Sequence, residues 1–345
     1  MLSDMAKQMN HLPADGFFMS PDPVIPPFEQ AYILNKKLID KANTLSDPVI
    51  TVGGQAIQYW VAYYRELYRD ALPDARLVTS VDVDYAARRH DVAAIAAALG
   101  VDPNMNGQGQ PPSLARFALV DLKTQQIKNV DGRFFADPDS PERPNTVDVI
   151  DFPSGFSYKD FSGDRLQLNT ERFMIEQDSA TSAESHELIR VINPIACIRA
   201  RLSNLSDLKR NPAIEVARIK AMMLPVVYFL LEKFDAVTDP ADEAERCPVR
   251  FREMKAYLDE FFRISMQETN IRVQVEHNIS LHLILEQLAA VFEAEPESYF
   301  VPQAFWTKEL PIKAAALKNN VARIGRDKQR RAEQQRQKEM RGNKK

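Results

Sequence analysis

The chain has 345 residues, 45% hydrophobic and 27% charged, with room for two or three domains and no apolar run of the ~18 residues that a membrane helix needs. Cys197 and Cys247 stand alone, without a CxxC or a Cys/His cluster, which argues against a structural zinc site and fits a reducing compartment. The net charge of −4 conceals an asymmetry: residues 319–345 hold ten Lys/Arg against three Asp/Glu, leaving about −11 for the rest.

Residues 1–46 read as an N-terminal extension. The opening MLSDMAKQMNHLPADGFF lacks the basic start and apolar core of a secretion signal, so a cytoplasmic location is expected. Residues 29–43 predict an amphipathic helix with Ala31, Leu34, Leu38 and Ile39 on one face, packed on the first strand. That strand is Val49-Ile50-Thr51-Val52, and Gly53-Gly54 follows it. Glycines there let backbone amides approach a ligand, and the N-terminus of the next helix favours phosphate. Tyr59, Trp60, Tyr63 and Tyr64 recur at helical spacing and read as core.

A second β-like run extends from Arg76 through Thr79 and Ser80 to Asp84. Period two puts Asp82 and Asp84 on one face, with Val81 and Val83 on the other. Residues 90–99 predict a short helix ending at Gly100, and 101–112 a loop. Residues 115–122 and 126–135 read as strands, ADPDSPERPN as a loop, and 146–152 as a strand with Asp148 and Ile150 on one face. An edge strand with a solvated Asp148 is the plain alternative. Further short strands are expected across 165–192; Arg88-Arg89 read as a solvated helix start, with an approach to nucleotide or nucleic acid as the alternative, and nothing in the sequence supports His90 or His186 as ligands.

Pro194 sits at a favoured first-turn position. From there the chain predicts helices over 194–208, 212–234 (kinked at Pro225), 248–266, 271–292 and 302–331. Arg272 and His277 form a short R-x4-H pattern of the kind that arises by chance. The basic stretch from residue 319 suits RNA phosphates but has no interleaved aromatics for stacking, so it would add affinity without sequence choice. A solvated helical tail is the alternative. The fold class expected is α+β: a mixed sheet with flanking helices, then a helical C-terminal domain.

Carboxylates on one face of a buried strand are costly unless something positive lies between them. A divalent cation with oxygen ligands, Mg²⁺ above all, is the usual answer.

These features together resemble the DNA polymerase β-type nucleotidyltransferase superfamily. Its pattern of a strand-ending glycine pair, an acidic pair and a later third carboxylate is matched by Val52-Gly53-Gly54, Asp82-Val83-Asp84-Tyr85 and Asp148. Within it the chain is most similar to the AbiEii-type toxin nucleotidyltransferases, through Gly53-Gly54-Gln55-Ala56, Thr79-Ser80-Val81-Asp82-Val83-Asp84 and the proline-opened helix with Arg201-Leu202. The resemblance covers roughly residues 47–220 and implies a nucleotidyltransferase domain over 47–193, a helical domain over 194–318 and a basic tail over 319–345.

It also implies a chemistry. Asp82, Asp84 and Asp148 would hold two Mg²⁺ (or Mn²⁺) ions, with Asp148 also a general base. Gly53 and Gly54 would seat the triphosphate, with Thr79 and Ser80 as hydroxyl partners and Arg201 and Lys209 as cations. The family's helix lysine reads as Arg201 here. The expected reaction moves a nucleotide from an NTP to an RNA 3′ end, such as that of tRNA, in a toxin–antitoxin or phage-defence setting with an antitoxin or other partner protein. A protein hydroxyl is the next acceptor. A catalytically degenerate binding or assembly protein and a small-molecule nucleotidyltransferase are the alternatives.

Overall fold

The structure, a computed structural model, describes residues 23–67, 80–102, 113–174, 187–208, 210–237 and 247–342. Its contacts divide the chain into two units, Met1–Ala200 and Arg201–Lys345.

The first unit opens with α1 (Pro27–Asp40), β1 (Val49–Val52), α2 (Gly53–Leu67), β2 (Val83–Ala86) and α3 (Val92–Leu99). Then come β3 (Ser113–Ala118) and two small hairpins, β4 (Asn129–Val130) with β5 (Arg133–Phe134) and β6 (Ala136–Asp137) with β7 (Ser140–Pro144). β8 (Thr146–Ile150), α4 (Gly163–Asn169), β9 (Thr170–Arg172) and β10 (Ile189–Ile192) complete it. α5 (Pro194–Ser206) begins in this unit and crosses into the next.

Six strands form one mixed sheet in the order β3-β8-β2-β1-β10-β9. β1 runs parallel to β10 and antiparallel to β2, and β2 runs parallel to β8. β1 is a continuous apolar, β-branched run, and its four residues are all at most 3% exposed, as a strand covered on both faces requires. The predicted stripe of α1 is buried, and Asn35 on that helix donates to Thr51 Oγ1 of β1 at 3.1 Å. Of the aromatics of α2, Tyr59, Trp60 and Tyr64 are core and Tyr63 is half-buried. Trp60 Nε1 donates to the Ile192 carbonyl at 2.7 Å, and its ring stacks on Tyr64.

Some elements differ from the sequence expectation for identifiable reasons. Residues 126–135 form a hairpin rather than one strand, because Asp131 and Gly132 take positive φ and turn the chain. The Pro/Asp-rich stretch that read as a loop pairs as β6–β7. Residues 165–169 are helical. Of the run expected to form a strand, residues 76–79 lie outside the described residues, Ser80 is irregular, Val81 and Asp82 are bent, and pairing starts at Val83.

The second unit is helical: α6 (Pro212–Asp235), α7 (Cys247–Ser265), α8 (Glu268–His277), α9 (His282–Ala294) and α10 (Leu310–Gly342). α6 runs through Pro225. The helix expected over 271–292 is broken, because Asn278 adopts φ 53 and caps α8. Phe234, Phe292 and Phe305 meet with centroids 5.1–5.8 Å apart in its core. Among the described residues no helix is long and apolar enough to cross a membrane.

Candidate active site

Sheet register assembles the site. Arg116 on β3 pairs across to Asp148 on β8, Asp148 to Asp84 on β2, and Asp84 to Val52 at the end of β1. Residues opposite one another in register share a face. Four sequence-distant positions therefore form one row, which leads directly into Gly53. The alternate residues, Val83, Tyr85, Val147, Val149, Ala115 and Phe117, are all 0% exposed and form the apolar reverse face. β8 lies between β3 and β2, so Asp148 is on an interior strand and not an edge.

The glycine turn fits against the first carboxylate of this row. Gly53 has φ +69, and a Cβ there would overlap Asp84 Oδ2 and come within 2.8 Å of its Cγ. Only glycine satisfies both the backbone angle and the contact. Gly54 follows it in the buried first turn of α2. Gln55, next in that turn and 1% exposed, donates through Nε2 to the Ser80 carbonyl. Its Oε1 is buried and without a hydrogen-bond partner. Asn145 donates to the Val81 carbonyl at 2.6 Å, which pins the bend from its other side. Asp82 is exposed just before β2 and accepts from Thr146 Oγ1 at 2.8 Å.

Arg116 was not singled out in the sequence. Its Nε and Nη2 donate to the two oxygens of Asp148 at 2.5 and 2.6 Å, a fork-to-fork pair. The Asp148 carboxylate pushes the guanidinium pKa above its ordinary range through hydrogen bonding and charge. Burial opposes the shift, while Asp82 and Asp84 add to it. The positive group expected between the carboxylates is thus supplied in part by the chain itself. No local signal reveals this, since an arginine in a strand reads as a solvated face until the β3–β8 register is known.

Thr79 and Lys209 lie outside the described residues. Ser80 is half-buried, and its hydroxyl donates to the Asp82 carbonyl at 3.4 Å. Arg201, in the helical unit, is 5% exposed and ion-paired with Glu215 at 3.3 Å. Glu215 also accepts from Asn204 at 3.1 Å. The guanidinium expected to face phosphate is therefore committed to a buried carboxylate. Two residues earlier, Arg199 makes two hydrogen bonds to Asp160 at 2.9 and 3.2 Å. Burial would raise the Asp160 pKa, but donors from Arg199 and Ser157 prevail and hold it at about 2. Arg88 stacks over Tyr158 at 3.7 Å, and Arg272 pairs with Glu268 on its own helix.

The all-oxygen donors of Asp82, Asp84 and Asp148 are of the kind a hard divalent cation takes, but the three carboxylates are not drawn within 4.8 Å of one another, and both oxygens of Asp148 are bonded to Arg116. Among the described residues, the group of three donors drawn within 4.8 Å of one another is a different one, Asp47, His90 and Asp91. Asp47 precedes β1 and His90 follows β2, at the end of these antiparallel strands away from Gly53. His90 contacts Asp47 at 2.9 Å, and the Asp91 oxygens accept from the Ser46 and Asp47 amides. These bonds make the cluster a clasp between two loops.

No protein-family model matches the chain. Comparisons with curated proteins and with solved structures likewise found no match.

Proposed function

We propose that this chain is a metal-dependent nucleotidyltransferase. The observation that carries the reading is the row Asp148–Asp84–Val52 running into Gly53, which brings the glycine turn onto the Asp84 carboxylate. The glycine turn, Asp84 and Asp148 are far apart in sequence and adjacent in the sheet, and that placement supports phosphoryl transfer by positioning and electrostatics.

In the reaction proposed, an acceptor hydroxyl attacks the α-phosphorus of an NTP. A new P–O bond forms as the bond to the bridging oxygen breaks, and pyrophosphate leaves. Asp148 receives the hydroxyl proton. The amides at the Gly53–Gly54 turn hold the triphosphate at the start of α2. Asp82, Asp84 and Asp148 would hold Mg²⁺ or Mn²⁺, whose chemistry there is to offset charge on the phosphates. An RNA 3′ end is the proposed acceptor, supported by the cation-rich, solvent-exposed end of α10.

Incubation with Mg²⁺, each α-³²P-labelled NTP in turn and total bacterial RNA tests this. Label should reach RNA with the wild type and fall at least ~10³-fold in Asp82→Ala/Asp84→Ala, given the size of electrostatic contributions to such steps. Label on protein keeps the chemistry and changes the acceptor. A second reading, a non-catalytic nucleotide-binding or assembly protein, is favoured by the Arg116–Asp148 pair and the buried Arg201. NTP binding with no transfer to RNA, protein or small molecules would establish it.

A further inference from the structure

We propose that Arg116 is an exchangeable counter-cation. In the free chain it holds Asp148, and on binding of a metal–triphosphate complex it passes to the phosphates and releases Asp148 to the cation. The inference rests on the nucleotidyltransferase reading and adds to it a residue that sets the order in which ligands enter.

The two partners are unequal. The Asp148 side chain is 14% exposed and fixed on an interior strand. The Arg116 side chain is 60% exposed on β3, a terminal strand of the sheet among the described residues. The carboxylate is therefore the anchored member, and the guanidinium, mostly exposed on a long stem, is the one free to move. Its fork fits a carboxylate or a phosphate bidentately, so a phosphate can replace Asp148 without loss of hydrogen-bond geometry.

Charge gives the exchange its direction. One guanidinium faces three carboxylates, Asp82, Asp84 and Asp148, and the electrostatic influence of all three reaches it. A cation arriving alone must separate the Arg116–Asp148 pair and leave the guanidinium without its partner. A cation arriving with a triphosphate brings the anion that takes Arg116 over. Metal and nucleotide should each tighten the other's binding, and by linkage the factor is the same in both directions.

The test is Mn²⁺ titration of the full chain, followed by electron paramagnetic resonance. It compares wild type, Arg116→Gln and Asp82→Ala/Asp84→Ala, with and without the four α,β-methylene ribonucleoside triphosphates. In wild type, nucleotide should tighten Mn²⁺ binding by about tenfold or more, within the usual range of coupling between sites. In Arg116→Gln, Mn²⁺ alone should bind more tightly than to wild type, and the coupling should shrink towards unity. Equal Mn²⁺ affinity and equal coupling in wild type and Arg116→Gln, both lost in the double aspartate variant, would overturn the exchange and leave the metal site intact. Failure of all three proteins to bind Mn²⁺ would remove the nucleotidyltransferase reading and the exchange with it. Arg116→Lys, which keeps the charge but not the fork, should recover only part of the coupling.

Discussion

At Gly53, one missing side chain carries two constraints. A Gly53→Ala change would pay for a positive φ of +69 and drive its Cβ into the Asp84 carboxylate. The expected cost is about 1–3 kcal/mol in the unfolding free energy. Transfer activity should be lost even where the variant is fully folded, because the carboxylate is displaced. Unfolding scans beside activity at a permissive temperature check this, and an active variant with an unchanged Tm would contradict the packing described. That Gly53 follows a strand and that Asp84 and Asp148 lie on strands was legible in the sequence, because strand alternation and a strand-ending glycine pair are local patterns. Arg116 and Thr146 were not. Their roles depend on how β3 lies against β8 and where β8 starts relative to the bend at Asp82, and a single chain does not write register into neighbouring residues.

Among the elements, the long amphipathic helices were the most readable, since their apolar period repeats over many turns. The division between α8 and α9 was hidden. Asn278 sits in a run whose hydrophobic spacing reads straight through, yet it takes the left-handed conformation and lets the Ile279 amide donate to the Gln274 carbonyl at 2.9 Å. Asn278→Gly should hold or raise the Tm, whereas Asn278→Val should cost about 1–2 kcal/mol. Chemical denaturation of the two variants separates this from a position that tolerates any residue. The ADPDSPERPN stretch misled for the opposite reason. Its Pro and Asp content signals a turn, and the β6–β7 pairing on either side depends on partners that turn residues do not advertise.

For the molecule as a whole, the charge asymmetry becomes a separable part. Leu310, Ala314 and Leu317 of α10 are buried, whereas residues 328–340 are exposed throughout. Deletion of residues 328–345 should therefore leave the unfolding temperature within a degree or two while weakening RNA binding. The slope of log affinity against log salt should become shallower by several units, because eight Lys/Arg are removed with two Glu. An unchanged slope in a filter-binding titration would take the tail out of the proposed RNA interface. The α+β class was legible because strand-like runs dominate the first half and helical periods the second. The unit boundary inside α5, after Ala200, was not, because the helix itself runs unbroken through it.

The pairing of β1 with β10 has a consequence for biogenesis. Val49 lies beside Ile189, 140 positions later in the chain. At typical synthesis rates of about 5–20 residues per second, that partner emerges roughly 7–28 s after the strand it must join. Until then the nascent polypeptide carries an unshielded Val-Ile-Thr-Val ribbon, a template for mispairing with other chains. Ribosomes stalled before codon 189 would hold a product in which the acidic residues are all present but the strand bearing the glycine turn still lacks one of its two neighbours.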